Sequence, residues 1–390
     1  MTINPIGLYG VLWLLCLVLI EFSPIQFNEL SNDFYGVLLV SFSFFILGYI
    51  FFSAFVSRQV GENRRQYFVK IKEVKLVRFQ FIMMFILIII TFVNIYIMTG
   101  GFFNFGQYRF LLTEDGSRTF INKITPFFIP VVFCGLPIML YAKACKSKLV
   151  WFSLLLLVYF VVSGSRSIFI VAILILMWFM YFTKSLKWHH VLALVLLIVF
   201  GFAILGYLLG KMSLEERYLD HFFKFIDDDI PRNFFTLSVL SILKYMLGGL
   251  VAFSELTKIY IPLYDFNLTL LNVSKFSSYF GFSPRIQTIS YVEVPFRTNV
   301  YTWFYSSYLD FGYYGVTFTS FLLGFLGSFL YKKCIKNSIY VIYLSTFYAI
   351  LTLSIFHDYW YSSLFPYSVF FYLYAVKEMF FVKVMDRGQL

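Results

Sequence analysis

Charge is scarce in this chain, and that scarcity decides its class. Of 390 residues, 13% are charged and 60% are hydrophobic, whereas soluble chains average about 25% charged. A water-soluble domain cannot hide so much apolar surface, so a soluble enzyme is excluded. The 53 Phe and 30 Tyr exclude disorder. The strict alternation of outer-membrane strands is missing, since the apolar runs are continuous. Cysteine is nearly absent: Cys16 and Cys134 lie in apolar runs, and Cys145 and Cys334 in short Lys-rich links. The long polar segment 210–314 contains no cysteine, so no disulfide can staple it. The four histidines show no ligand spacing, which argues against a zinc site. No Gly-rich phosphate loop occurs, which argues against nucleotide-driven work. No Lys or Arg precedes the first apolar run and no small-residue cleavage site follows it, so it reads as a retained span and not a signal peptide.

What the chain has in abundance is apolar runs of spanning length. A spanning helix needs about 20 mostly apolar residues. Ten runs meet that need: 5–22, 34–56, 79–98, 124–142, 149–163, 168–183, 191–209, 315–331, 339–356 and 363–382. The expected fold is therefore an all-α polytopic membrane protein. Prolines 126, 130 and 137 in the fourth run and Pro366 in the last predict kinks. Basic residues concentrate on alternate links: one side collects 18 of the 31 Lys and Arg but 4 of the 20 Asp and Glu. That side is expected to be cytoplasmic, with both termini on it. The net charge of +11 then reflects membrane topology and not nucleic-acid binding. The expected organisation is a seven-span bundle over 1–209, a large outer loop over 210–314, and three more spans over 315–390. Within the loop, residues 237–257 predict one or two helices interrupted at Gly248–Gly249. Lys244 at mid-length favours their lying on the bundle or at the interface over spanning.

The outer side carries the polar residues of interest. Gly164-Ser165-Arg166-Ser167 joins two runs that are together short for a pair of full spans, so the tip is expected to sit below the outer headgroup level. Arg166 then faces a protein cavity as a seat for an anion, since a guanidinium fork suits phosphate. The other reading is an arginine reaching to the interface, with Ser165 and Ser167 satisfying backbone. Arg109, Arg285 and Arg297 fall on the same side and either join an anion site or are solvated. His357-Asp358 lies on the outer turn between the last two runs, where it faces the same cavity or caps the final helix. Tyr301 and Trp303 fit either a membrane-interface belt or a platform for sugar rings.

Three segments carry a resemblance: Val162-Ser-Gly-Ser-Arg-Ser-Ile-Phe169, Tyr245-Met-Leu-Gly-Gly-Leu-Val-Ala-Phe253, and the stretch from Asn299 through Trp303 and Asp310 to Gly315. With the topology, they make the chain resemble the Wzy-type oligosaccharide repeat-unit polymerases of O-antigen and capsular polysaccharide. The resemblance implies a GT-C-like fold in the bacterial cytoplasmic membrane. It implies an enzyme that joins units carried on undecaprenyl diphosphate at the outer leaflet without a cofactor or metal. The growing chain passes to a hydroxyl of the incoming unit, with a chain-length regulator as a possible protein partner. Fixed cations must stabilise the diphosphate leaving group, which falls to Arg166, Arg297, Arg285 and Arg109, beside Ser165 and Ser167. A base must take or orient the acceptor proton; Asp310, Glu293 and His357 are the candidates. Asn299, Tyr301 and Trp303 belong to the sugar or lipid path. The sister ligase that moves finished polymer to lipid A, and a flippase for the same lipid-linked sugars, are the alternatives.

Overall fold

In the computed structural model the described residues are 3–56, 67–114, 120–208, 223–226, 230–259, 268–271, 273–274, 277, 292–298, 301–336, 339–355 and 357–385. The helices in chain order are α1 (Pro5–Glu21), α2 (Asn32–Phe51, continued by a π-turn over Phe52–Val56), α3 (Glu73–Thr99), α4 (Phe105–Glu114), α5 (Phe120–Phe128), α6 (Pro130–Tyr141), α7 (Lys146–Ser163), α8 (Arg166–Phe182) and α9 (Trp188–Leu208). They continue with α10 (Phe234–Ile259), α11 (Tyr305–Lys336), α12 (Tyr340–Leu353), α13 (Tyr359–Ser362) and α14 (Phe365–Phe380). Every one of the ten apolar runs falls on a helix or helix pair, so the all-α polytopic membrane fold holds. Among the described residues, six helices are long and apolar enough to cross a membrane, and four shorter ones are comparably apolar.

Local chemistry sets the breaks. The fourth run divides at Ile129 because Pro130 has no N–H to donate back into the preceding turn. Pro366, where a kink was expected, is the second residue of α14, where the amide would have no intrahelical partner in any case, so it starts the helix without bending it. The expected interruption at Gly248–Gly249 is also absent: α10 is one 26-residue helix. Its Leu247, Leu250, Val251, Ala252 and Phe253 are fully buried, and that packing outweighs about 1 kcal/mol per glycine.

The chain divides into two compact units. The first comprises Met1–Gln59, Ser213–Lys336 and Phe347–Pro366. Its centre is the crossing of α2 and α11. A Cβ on Gly48 would stand 2.0 Å from the Phe321 carbonyl oxygen, and one on Gly324 would stand 2.0 Å from that of Phe45. Lipid supplies no hydrophobic drive for helices to associate, so contact this close, made through small residues, is what holds such a pair. A hydroxyl chain links the same helices: Tyr9 Oη lies 2.6 Å from Ser41 Oγ, and Ser41 Oγ 2.9 Å from Ser320 Oγ. Tyr9, Phe34, Phe253, Trp303 and Phe304 are buried around it.

The second unit comprises Val60–Met212, Asn337–Thr346 and Tyr367–Leu390. Buried polar residues tie its apolar helices together. Gln80 Oε1 on α3 accepts from Tyr372 Oη on α14 at 2.6 Å. Asn94 Nδ2 on α3 donates to Tyr108 Oη on α4 at 2.7 Å. The unit also holds an antiparallel ribbon that the sequence does not announce: β1 (Tyr67–Ile71) pairs with the C-terminal strand Phe381–Met385, with Tyr67 opposite Met385.

Candidate substrate site

The serine-flanked arginine sits in a compact turn of the second unit. α7 ends at Gly164, whose φ of 56° is left-handed and whose amide donates to the carbonyls of Phe160 and Val161. Glycine adopts this conformation without a Cβ penalty, which explains its place in the motif. Ser165 is the N-cap of α8: its hydroxyl accepts the Ile168 amide, and its carbonyl accepts the Phe169 amide. Ser165 is buried, and Arg166 is half-buried at the first position of α8. A positive charge at the first position of a helix is opposed by the positive end of the helix dipole, by about 0.3–1 kcal/mol. Ser167 follows it, also half-buried.

α4, which carries Arg109 on its backbone, docks beside this turn. Tyr108 packs with Ile95 of α3 and Val162 of α7, two residues before Gly164. The fold thus brings the helix of Arg109 and the Arg166 turn together in one unit. Sequence reasoning alone does not find the Asn94–Tyr108 tie. Asn94 stands out as a polar residue in an apolar run, a position at which polar groups normally have a partner.

In the first unit, the segment from Tyr301 to Gly315 forms a knot of buried polar groups. Trp303 is fully buried, with its amide donating to the Ser354 carbonyl and its ring against those of Tyr9 and Phe304. Tyr301 is buried and stacks on Tyr305, with centroids 4.5 Å apart. Burial pushes the Tyr301 phenol up to about 12, so it is a neutral donor at physiological pH. Asp310 is also buried. Its carboxylate accepts the amides of Leu268 at 3.1 Å and Thr269 at 2.7 Å, tying the long loop to α11. Asp358 accepts the Ser306 amide and hydroxyl and caps α13 through the Tyr361 amide. Just past Asp310, Gly312 takes φ 58° and ψ −139°, a backbone open only to glycine, and α11 kinks there. α11 therefore begins at Tyr305, ahead of the apolar run at 315–331.

His357 is half-exposed beside Asp358, its ring 4.4 Å from that of Tyr359. Glu293 is exposed on strand β2 (Val292–Glu293), directly opposite Arg297 on β3 (Arg297–Thr298). This hairpin meets α10, where Lys244 Nζ stands 3.8 Å from the centroid of the Phe296 ring. α10 also meets the 23–31 link: Ser254 Oγ accepts the Ser31 amide, and Thr257 Oγ1 bonds Ser31 Oγ. Arg285 and Asn299 lie outside the described residues.

These features define an integral-membrane protein with a cationic helix-turn in one unit and a buried polar knot in the other. A family model described as "Putative O-antigen polymerase" matches residues 6–356, and the chain belongs to that family. Membership makes it a glycosyltransferase-like membrane polymerase of polysaccharide biosynthesis, working on a lipid-linked oligosaccharide. No curated protein and no solved structure matches the chain.

Proposed function

We propose that the protein polymerises oligosaccharide repeat units carried on undecaprenyl diphosphate at the outer leaflet of the bacterial cytoplasmic membrane. The growing chain leaves its lipid diphosphate and passes to a hydroxyl of the incoming unit. The Gly164–Ser167 turn is the observation that carries this reading. There a half-buried guanidinium and a positive helix end stand side by side at the end of an apolar hairpin, a combination suited to an anion held within the membrane. α7 and α8 have 18 and 17 residues, about 26 Å each, against a hydrocarbon core of about 30 Å. That shortfall supports a turn recessed below the headgroups. Fixed positive charge there stabilises the negative charge that grows on the departing diphosphate, so the transfer needs no metal. Arg109, Arg285 and Arg297 are the further cations proposed for the substrate.

The concentration of basic residues on alternate links supports both termini lying in the cytoplasm and the 210–314 segment outside. α10 is read as lying on the outer face, because its partners Ser31 and Phe296 belong to segments assigned there. Glu293 and His357 are the candidates for the acceptor base, each with part of its side chain open. Asp310 acts through the loop it ties, its carboxylate accepting the Leu268 and Thr269 amides. Tyr301 lines the sugar path as a neutral donor, and Trp303 anchors the segment that presents it. A chain-length regulator is the proposed protein partner.

The test is a deletion strain complemented with variants, with surface polysaccharide resolved on a gel. Loss of a polymerase leaves single units and no ladder, whereas loss of a ligase leaves polymer off lipid A. Arg166→Ala and Arg166→Lys are expected to abolish the ladder at unchanged protein level. A wild-type ladder from Arg166→Ala removes the residue from the mechanism.

A further inference from the structure

Helices α6, α7, α8 and α9 leave a cavity of about 270 Å³ between them, inside the second unit. Pro137, Leu156, Phe160, Phe169, Ala172 and Leu176 form much of its wall, and Ser153 contributes the one hydroxyl of the lining. Phe169 and Leu176 stand three and ten residues along α8 from Arg166. At 1.5 Å per residue they lie about 4.5 Å and 15 Å below it along the helix axis. Along α8 the cavity therefore starts within one helical turn of the Arg166 backbone and extends over about half the length of a 30 Å hydrocarbon core.

We infer that this cavity takes the first isoprene units of the carrier's polyprenyl chain. The inference rests on the reading of Arg166 as the diphosphate seat and adds where the tail goes. Three features select the occupant. The lining satisfies almost no hydrogen bonds, so a polar ligand there would be left unpaired. An apolar cavity of about 150 Å³ stays dry and accepts benzene, and this one is nearly twice as large. The third feature is the abruptness of the change from charge to apolar wall, since Phe169, whose ring meets that of Phe160 with centroids 5.1 Å apart, follows Arg166 by less than one turn of α8. A phospholipid carries ester-bearing glycerol between its phosphate and its chains, and those esters would meet phenyl rings. A polyprenyl diphosphate begins its hydrocarbon at the phosphate ester oxygen, so charge and chain change over where the protein does. Glycine keeps the wall close-packed: a Cβ on Gly201 would stand 2.4 Å from the Phe169 ring.

The test uses the full-length protein in detergent, with undecaprenyl diphosphate and inorganic diphosphate as probes and phosphatidylglycerol as competitor. Ala172→Phe fills the cavity. It is expected to weaken undecaprenyl diphosphate binding by about tenfold or more, the effect of about two lost buried methylenes, and to leave inorganic diphosphate binding unchanged. Arg166→Ala is expected to weaken both. Excess phosphatidylglycerol should not displace the probe. Wild-type affinity in Ala172→Phe, or displacement by phosphatidylglycerol, overturns the inference. If instead Arg166→Ala binds both probes normally, the diphosphate reading fails, and the Ala172→Phe result still reports on the tail. Should Ala172→Phe not fold, an undecaprenyl diphosphate analogue with a photoreactive group on its second isoprene unit is crosslinked to the unaltered protein. Labelling of α6, α7, α8 or α9 supports the inference, and labelling confined elsewhere overturns it.

Discussion

The carboxylate of Asp358 takes both the amide and the hydroxyl of Ser306, 52 residues earlier in the chain. The same carboxylate caps α13 through the Tyr361 amide at 3.1 Å. One buried charge therefore fixes the start of α11 and the turn before α14. Hydrogen bonds to a charged group contribute about 1.5–3 kcal/mol each. Asp358→Ala is expected to lower the thermal midpoint in detergent by several degrees and to reduce the polysaccharide ladder. Asp358→Asn keeps an acceptor and should lose about half as much. An unchanged midpoint in Asp358→Ala would remove this node from the stability of the unit.

Asp310 poses a question that one substitution answers. As a base it must lose function when made neutral; as a loop tie it need only accept. Asp310→Asn retains an oxygen for the Thr269 amide and is expected to keep most of the ladder. Asp310→Ala is expected to lose the ladder and to raise hydrogen exchange over 268–271. Loss of the ladder in Asp310→Asn with exchange unchanged would return Asp310 to the role of base.

The α2–α11 crossing depends on the absence of side chains. Gly324→Ala puts a methyl group against the Phe45 carbonyl, 2.0 Å away without adjustment. The opposing atom is backbone, so the helices must separate. The expected result is a loss of about 1–3 kcal/mol, the usual scale of overpacking, read as a lower thermal midpoint and lower membrane yield. Gly312→Ala is expected to destabilise to a similar degree by a different route, since alanine must adopt φ 58°.

The apolar runs are legible in the sequence because a membrane imposes one length on every helix that crosses it. The Gly164–Ser167 turn is legible as well, since left-handed glycine and the serine cap are local signals. The start of α11 is not, because Ser306 and Asp310 look like loop residues until Asp358 and the 268–269 amides arrive from elsewhere in the chain. The β1 ribbon has the same cause: Tyr67 and Met385 pair across nearly the whole sequence, and no local pattern records a partner that distant. Pro366 shows that position outweighs identity, since the same residue bends a helix interior and starts a helix at its first turn. Asn94 and Gln80 are visible as polar residues in apolar runs, but their tyrosine partners are not.

Alkaline pH should unfasten the first unit at Tyr301. Burial raises its folded pKa from 10.0 to about 12, and burial also holds Tyr359 well above its usual value. The folded protein therefore keeps protons that the unfolded chain gives up. The stabilisation is complete below pH 10 and is lost as pH rises from 10 towards 12. A titration should show the phenolate absorbance of these residues appearing together with loss of helical circular dichroism. Tyr301→Phe should remove its share of that absorbance. Ionisation of Tyr301 near pH 10 with helicity intact would contradict its burial.

The Asn94–Tyr108 pair decides whether α4 stays docked beside the Arg166 turn. Tyr108 is 5% exposed and packs with Ile95 and Val162, so removing its hydroxyl leaves the ring in place but takes away the oxygen that accepts from Asn94 Nδ2. Losing a buried hydrogen bond costs about 1 kcal/mol or more. Tyr108→Phe is therefore expected to raise hydrogen exchange over 105–114 by about tenfold, the equivalent of roughly 1.4 kcal/mol. Asn94→Leu with Tyr108→Phe replaces both polar partners by apolar ones and should recover much of the loss, since membrane-embedded pairs average only about 0.6 kcal/mol in double-mutant cycles. If the double variant protects α4 while the ladder is still weakened, packing alone keeps α4 docked and the Asn94–Tyr108 hydrogen bond sets the position that function needs. Equal exchange in Tyr108→Phe and the unaltered protein would show that the ring, without its hydroxyl, suffices to hold α4.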